Sequence, residues 1–126
     1  MVESIFSRVF AYRQRENHSP TENFLNEIFA YCLENDVLFQ KSFFNLILNS
    51  SLPQDDIEIS TQESYIGYGR PDIEISFDNT SILIECKVES SERKNQLNDY
   101  CGILINQKKQ LNKYLIFIIM NTKNYP

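Results

Sequence analysis

Asp72, Glu85 and Lys87 are the residues of this chain whose types and spacing point most directly to chemistry. The stretch Gly69-Arg70-Pro71-Asp72-Ile73-Glu74-Ile75 runs into a polar turn, Asp78-Asn79-Thr80-Ser81, and continues as Ile82-Leu83-Ile84-Glu85-Cys86-Lys87. Pro71 lacks a backbone donor and biases Arg70 toward extended backbone, so Asp72 is presented where a strand begins. A hairpin connecting residues 77 and 82 would bring the Asp72 and Glu85 carboxylates within reach of one ion. Mg²⁺ or Mn²⁺ takes oxygen ligands, a few carboxylates supplemented by waters and a substrate phosphate. The Cys86 carbonyl is a further candidate ligand, since a backbone oxygen needs no special side chain. Such an ion lowers the pKa of a bound water and polarises a phosphoryl group. Lys87, on the same face as Glu85, would orient that water or neutralise charge on the phosphoryl oxygens.

Taken alone, Glu-x-Lys also describes a solvated strand face with a surface ion pair of little energetic consequence. The flanking residues weigh against that here. Ile82-Leu83-Ile84 on one side and Val88 on the other imply a central strand, where an acid without a partner is costly.

The elements that must position these residues follow from periodicity. Residues 1–12 have mixed periodicity compatible with a short helix. Ser19 or Thr21 as cap, Pro20 in the first turn and Glu22 near the positive end predict a helix start. Phe24, Leu25, Ile28, Phe29, Cys32 and Leu33 then recur at helical spacing over Thr21 to Asn35. A second helical stretch, Val37 to Leu48, follows a break near Asn35-Asp36. Ile57 to Glu63 alternates in part as a strand. Asp72 to Phe77 alternates cleanly, with Ile73, Ile75 and Phe77 on one face and Asp72, Glu74 and Ser76 on the other. On the next strand Glu85 and Lys87 share a face and Cys86 points opposite. Ser90 and Ser91 offer caps for a helix over Glu92 to Lys109, expected to turn Leu97, Tyr100, Cys101, Leu104 and Ile105 inward. Tyr114 to Met120 reads as a buried strand. The long helix between two sheet strands is the crossover that a parallel pair requires.

With these residues in place, the chain resembles the core of the PD-(D/E)xK nuclease superfamily over roughly Thr21 to Met120. Pro71-Asp72 matches the first half of that signature and Glu85-Cys86-Lys87 the second. The resemblance implies an α/β fold with a restriction-endonuclease-like αβββαβ core, a central mixed sheet flanked by helices. It also implies Mg²⁺-dependent hydrolysis of phosphodiester bonds, DNA ahead of RNA, in a phage-defence or restriction setting. Asp72 and Glu85 would be metal ligands and Lys87 the group near the nucleophile. Many members place a first-helix glutamate at the metal, for which Glu27 is the candidate and Glu22 the alternative; a solvated or dipole-complementing acid is the other reading of each. Gln96 and Tyr100, four apart on the last helix, resemble a Gln-x-x-x-Tyr pair that supports the site or touches the nucleic-acid backbone, with Tyr100 equally readable as core.

Arg70 is a candidate phosphate contact, and Tyr65 and Tyr68 candidate base-stacking residues or simply turn aromatics. Gly67 and Gly69 suit a tight turn and not a phosphate-cradling loop, because no Gly-Lys-Ser or Gly-Lys-Thr helix opening follows. Lys108, Lys109 and Lys113 read as a solubilising cluster near a helix end.

The 126 residues, 42% hydrophobic and 23% charged, suit one domain over 1–126, or a fragment or N-terminal domain of a larger protein. No signal-peptide pattern or membrane-length apolar run is present, so a cytoplasmic location is expected. Cys32, Cys86 and Cys101 are scattered in apolar runs, which argues for buried thiols and not a disulfide frame or zinc site. The lone His18 leaves nothing for a multi-histidine site. The net charge of −5 is unusual for a nucleic-acid binder. Carboxylate ligands account for part of it, and an additional domain, a partner subunit or a homodimer could supply basic surface. The competing readings are a catalytically inactive nuclease-fold module for nucleic-acid binding or assembly, and a domain whose sheet edge pairs with a partner.

Overall fold

The computed structural model describes residues 20–49, 56–88 and 95–120, and for residues 20–22, 88 and 120 the backbone alone. Helices α1 (Pro20–Asn35) and α2 (Val37–Leu48) are followed by strands β1 (Glu58–Thr61), β2 (Ile73–Phe77) and β3 (Thr80–Val88), then α3 (Gln96–Gln107) and β4 (Asn112–Met120). The expected N-terminal helix, the side chains of the cap at Ser19 to Glu22, and the Ser90-Ser91 caps lie outside the described residues. The order matches the αβββαβ expectation.

The four strands form one sheet in the order β1-β2-β3-β4. The first two pairings are antiparallel and β3-β4 is parallel, so α3 is the predicted crossover. Asp78 and Asn79 alone join β2 to β3, pairing Phe77 with Thr80 and Ile73 with Ile84. Asp78 takes a positive φ of 47°, a conformation that Asp and Asn tolerate better than most residues. Asn79 also fixes the entry to β4, accepting from the backbone N–H of Leu111 through its side chain at 3.1 Å and of Asn112 through its carbonyl at 3.0 Å.

Strand alternation gives the sheet two covered faces. Ile73, Ile75, Phe77, Ile82, Ile84 and Cys86 pack with Ala30, Leu33, Phe43 and Phe44 of α1 and α2. On the opposite face Leu83 packs with Tyr100, Ile103 and Leu104 of α3. A chain of edge-to-face rings, Phe29–Phe43, Phe43–Phe44 and Phe44–Phe77, runs from α1 through α2 to the sheet at centroid separations of 5.0–5.4 Å. Asp36 caps α2, its carboxylate accepting from the N–H groups of Leu38 and Phe39 at 3.0 and 3.1 Å, which explains the predicted break.

Three sequence expectations are corrected here. The buried side of α1 carries Asn23, Asn26, Glu27, Ala30 and Leu33, while Ile28 is exposed. The buried side of α3 carries Gln96, Tyr100, Ile103 and Leu104, while Leu97 and Ile105 are exposed. Both helices are rotated from their apolar periodicity so that polar residues turn inward, and on α3 the inward pair Gln96 and Tyr100 meets Glu85 of β3. Finally, β4 lies at the edge of the sheet among the described residues and is not the buried strand expected; Tyr114 is 39% and Ile119 71% exposed. An almost wholly apolar run reads as covered on both sides, but its neighbours are set by topology. Among the described residues, no helix is long and apolar enough to cross a membrane.

Candidate active site

Asp72 stands just before β2, where the chain has left the β2-β3 ladder. One of its oxygens, Oδ2, accepts from the backbone N–H of Cys86 at 2.8 Å. The other, Oδ1, accepts from Gln62 Nε2 at 3.3 Å, while Gln62 N–H donates to the Asp72 carbonyl at 3.1 Å. Gln62 reaches this position through a left-handed backbone, φ 59°. The acid is thus tied to the peptide between Glu85 and Lys87, which joins the two halves of the signature directly. In an extended strand the N–H and C=O of one residue point to the same edge, so the Cys86 carbonyl faces the Asp72 side as well. The Cys86 side chain lies on the other face, in the apolar core.

Glu85 is 5% exposed and held from three sides. Gln96 Nε2 donates to Oε1 at 2.8 Å, Lys87 Nζ lies 3.3 Å from the same oxygen, and the Tyr100 hydroxyl lies 3.1 Å from Oε2. Tyr100 has one hydroxyl proton to share between Glu85 and the Arg70 carbonyl at 3.2 Å, and it accepts from Gln96 at 3.3 Å. The pair Gln96 and Tyr100 therefore grips Glu85 and the loop that delivers Asp72.

The electrostatics record two acids forced together. Burial first, and then the Asp72 charge, push the Glu85 carboxyl up to about 7, with Lys87 and Tyr100 opposing. Burial also raises Asp72, against the stabilising bonds from Cys86 and Gln62. Burial and the Glu85 carboxylate push the Tyr100 hydroxyl well above its ordinary value, so it stays a donor. The pair tends to hold a proton where two free carboxylates would hold none, the condition that a cation relieves.

These groups line a cleft of about 770 Å³ whose walls include Asn23, Gln62, Tyr68, Arg70, Asp72, Glu85, Lys87, Gln96, Asp99 and Tyr100. Asn23 and Asn26 come from α1. Asn26 lies beside Asp72 and helps lower its pKa, yet its amide is short of hydrogen-bond geometry; both polar atoms are buried and unpartnered. Glu27 is buried one position further on, and among the described residues no three His, Cys, Asp or Glu side chains gather as a metal cluster. Glu22 falls among the side chains left undescribed. Gln62, Asn23 and Asn26 went unrecognised in the sequence, since nothing local marks a glutamine or asparagine whose partner lies far along the chain.

Tyr65 and Tyr68 are committed within the protein. Tyr65 donates its hydroxyl to Glu74 Oε2 at 2.8 Å and accepts from Lys108 Nζ at 2.6 Å. Tyr68 lays its ring against Gly102, and its hydroxyl accepts from Asn106 Nδ2 at 3.2 Å. Lys108, which the sequence assigns to a solubilising cluster, is bound to Glu74 at 3.0 Å.

No curated protein matches the chain significantly. A family model does, over residues 3–125, and it is that of the PD-(D/E)XK nuclease superfamily. Its span takes in the hairpin and the helix whose Gln96 and Tyr100 grip it, and the chain belongs to this superfamily of nucleases.

Proposed function

We propose that the chain is a Mg²⁺-dependent nuclease that hydrolyses phosphodiester bonds of DNA, with Asp72, Glu85 and the Cys86 carbonyl as metal ligands and Lys87 as the cationic group at the reacting phosphate. Membership in the superfamily implies nuclease activity, a nucleic-acid substrate and use of divalent metals. The observation that carries the assignment to these residues is the Asp72–Glu85 pair, a half-buried and a buried carboxylate that repel each other in an open cleft, with Lys87 paired to Glu85. The donor set fits a hard cation: the side-chain ligands are carboxylates, and Asp72 Oδ1 and Oδ2 and Glu85 Oε2 keep lone-pair capacity beyond the single hydrogen bond described for each, while Glu85 Oε1 is taken up by Gln96 and Lys87.

When bound, the cation supplies an acidified water and polarises the scissile phosphate. Lys87 lies over Glu85 and is placed to neutralise charge on the phosphoryl oxygens and orient the attacking water. Gln96 and Tyr100 fix the Glu85 carboxylate, and the Cys86 N–H and Gln62 fix Asp72, so neither acid must reorganise during the reaction. Arg70, at the cleft wall, is placed to meet a flanking phosphate. DNA is assigned ahead of RNA on the habit of the superfamily, and a restriction or phage-defence role is the setting that fits such an enzyme.

The test is cleavage of supercoiled, linear and single-stranded DNA and of RNA with Mg²⁺ or Mn²⁺, comparing the parent with Lys87→Ala. Metal-dependent cleavage by the parent, lost in a folded Lys87→Ala, is the expected result. Equal activity in both proteins, or cation binding that survives Asp72→Asn, would overturn it in favour of an inactive nuclease-fold module.

A further inference from the structure

Between β1 and β2 the chain makes a closed loop whose tip stands at the rim of the cleft. Tyr65 and Gly69 form a β-bridge, and the Tyr65 carbonyl accepts from both Tyr68 and Gly69 at 3.0 Å. Gly67 and Gly69 hold φ of 85° and 120°, values that a side chain would strain. Each end of the loop is pinned from below. Tyr65, Glu74 and Lys108 form one anchor, with the ammonium also 5.0 Å from the Tyr65 ring centroid. Tyr68 on Gly102 and Asn106 forms the other. Burial opposes the charge on Lys108, but the hydrogen bonds its ammonium donates to Tyr65 and Glu74 outweigh it and hold the pKa above its ordinary value, so Lys108 stays charged throughout the physiological range.

The tip of this rigid arm is Ile66, 101% exposed in a loop that lines the same cleft as Asp72 and Glu85. Two anchors and two special-φ glycines hold an isoleucine where no part of the described chain covers it. Apolar side chains presented in this way contact sugars and bases, or wedge between base steps.

We propose that Ile66 is a nucleic-acid contact that packs against a base or sugar beside the scissile phosphate, and that Tyr65, Glu74 and Lys108 are the positioning residues that hold it there. The inference rests on the nuclease reading for its ligand, but not on cleavage. It is tested by fluorescence anisotropy of a labelled DNA duplex in metal-free buffer at low ionic strength, with thermal unfolding in parallel. Ile66→Ala should weaken binding about tenfold, as expected for an exposed apolar side chain that is buried on binding, with an unchanged unfolding midpoint. Ile66→Leu should bind as the parent does. Tyr65→Phe, which frees the arm without touching its tip, should weaken binding in the same direction, and in cleavage assays should raise KM with little change in kcat. Equal affinity of parent and Ile66→Ala, or no DNA binding by the parent, overturns the inference. Loss of cleavage in Lys87→Ala judges the catalytic reading separately, because binding without metal needs no turnover.

Discussion

The Asp72 carboxylate accepts the backbone N–H of Cys86 at 2.8 Å, so the acid before β2 is bonded to the peptide flanked by Glu85 and Lys87. The bond has separable structural and chemical parts. Asp72→Asn keeps an acceptor for that N–H, whereas Asp72→Ala strands it. Both variants should lose metal-dependent cleavage. The alanine variant should unfold at lower temperature, by roughly 1–3 kcal/mol for a partly buried donor left without a partner, and thermal denaturation with and without Mg²⁺ checks both parts.

The carboxyl pair makes stability depend on pH with a definite sign. Glu85 titrates at about 7 in the folded chain against an ordinary value of 4.5. Between those values the folded state holds a proton that the unfolded state has lost, so stability falls as pH rises from about 4.5 to about 7. Asp72, also raised, contributes with the same sign. Denaturant titration of the parent and Glu85→Gln over this range should show the difference between them shrinking toward acid pH.

Metal binding should displace the same proton. Calorimetry with Mg²⁺ or Mn²⁺ in buffers of different ionisation enthalpy should register proton release on the order of one per site near pH 6, declining above pH 8. Absence of buffer dependence across that range would count against Asp72 and Glu85 as the ligands.

Tyr100→Phe removes the hydroxyl that lies 3.1 Å from Glu85 and 3.3 Å from Gln96. That hydroxyl works to lower the Glu85 pKa, so without it the carboxyl titrates higher and the rising limb of the pH–activity profile moves to higher pH. Activity at neutral pH should fall about 10–100-fold, the usual cost of losing a group that orients a metal ligand.

Phe44, 1% exposed and 5.0 Å ring to ring from Phe77, joins α2 to the sheet. Phe44→Ala should cost about 3–5 kcal/mol in chemical denaturation, a large share of the stability of a domain this size.

Much of this was legible in the chain. The alternation of Asp72 to Phe77, the two-residue turn and the apolar run into Glu85 define the hairpin, and the signature residues meet because the register aligns Ile73 with Ile84. The helix faces were misread where polar residues turn inward. Gln96 has its partner Glu85 eleven positions back on another element, and Asn26 lies beside an acid forty-six positions away. Hydrophobic periodicity contains no sign of such pairings. Glu74 shows the same limit: it alternates as a solvent-facing residue but is 6% exposed, because Tyr65, nine positions before it, and Lys108, thirty-four after it, close over it.

The parallel pairing of β3 with β4 has a consequence for the order of events at birth. The β2-β3 hairpin is local and can close as soon as it leaves the ribosome, carrying Asp72, Glu85 and Lys87 with it. The helix that grips Glu85 is a crossover, secured only once the later strand β4 has docked. A nascent or partly folded chain therefore has its paired acids but not the hold of Gln96 and Tyr100 on Glu85, which waits on completion of the sheet.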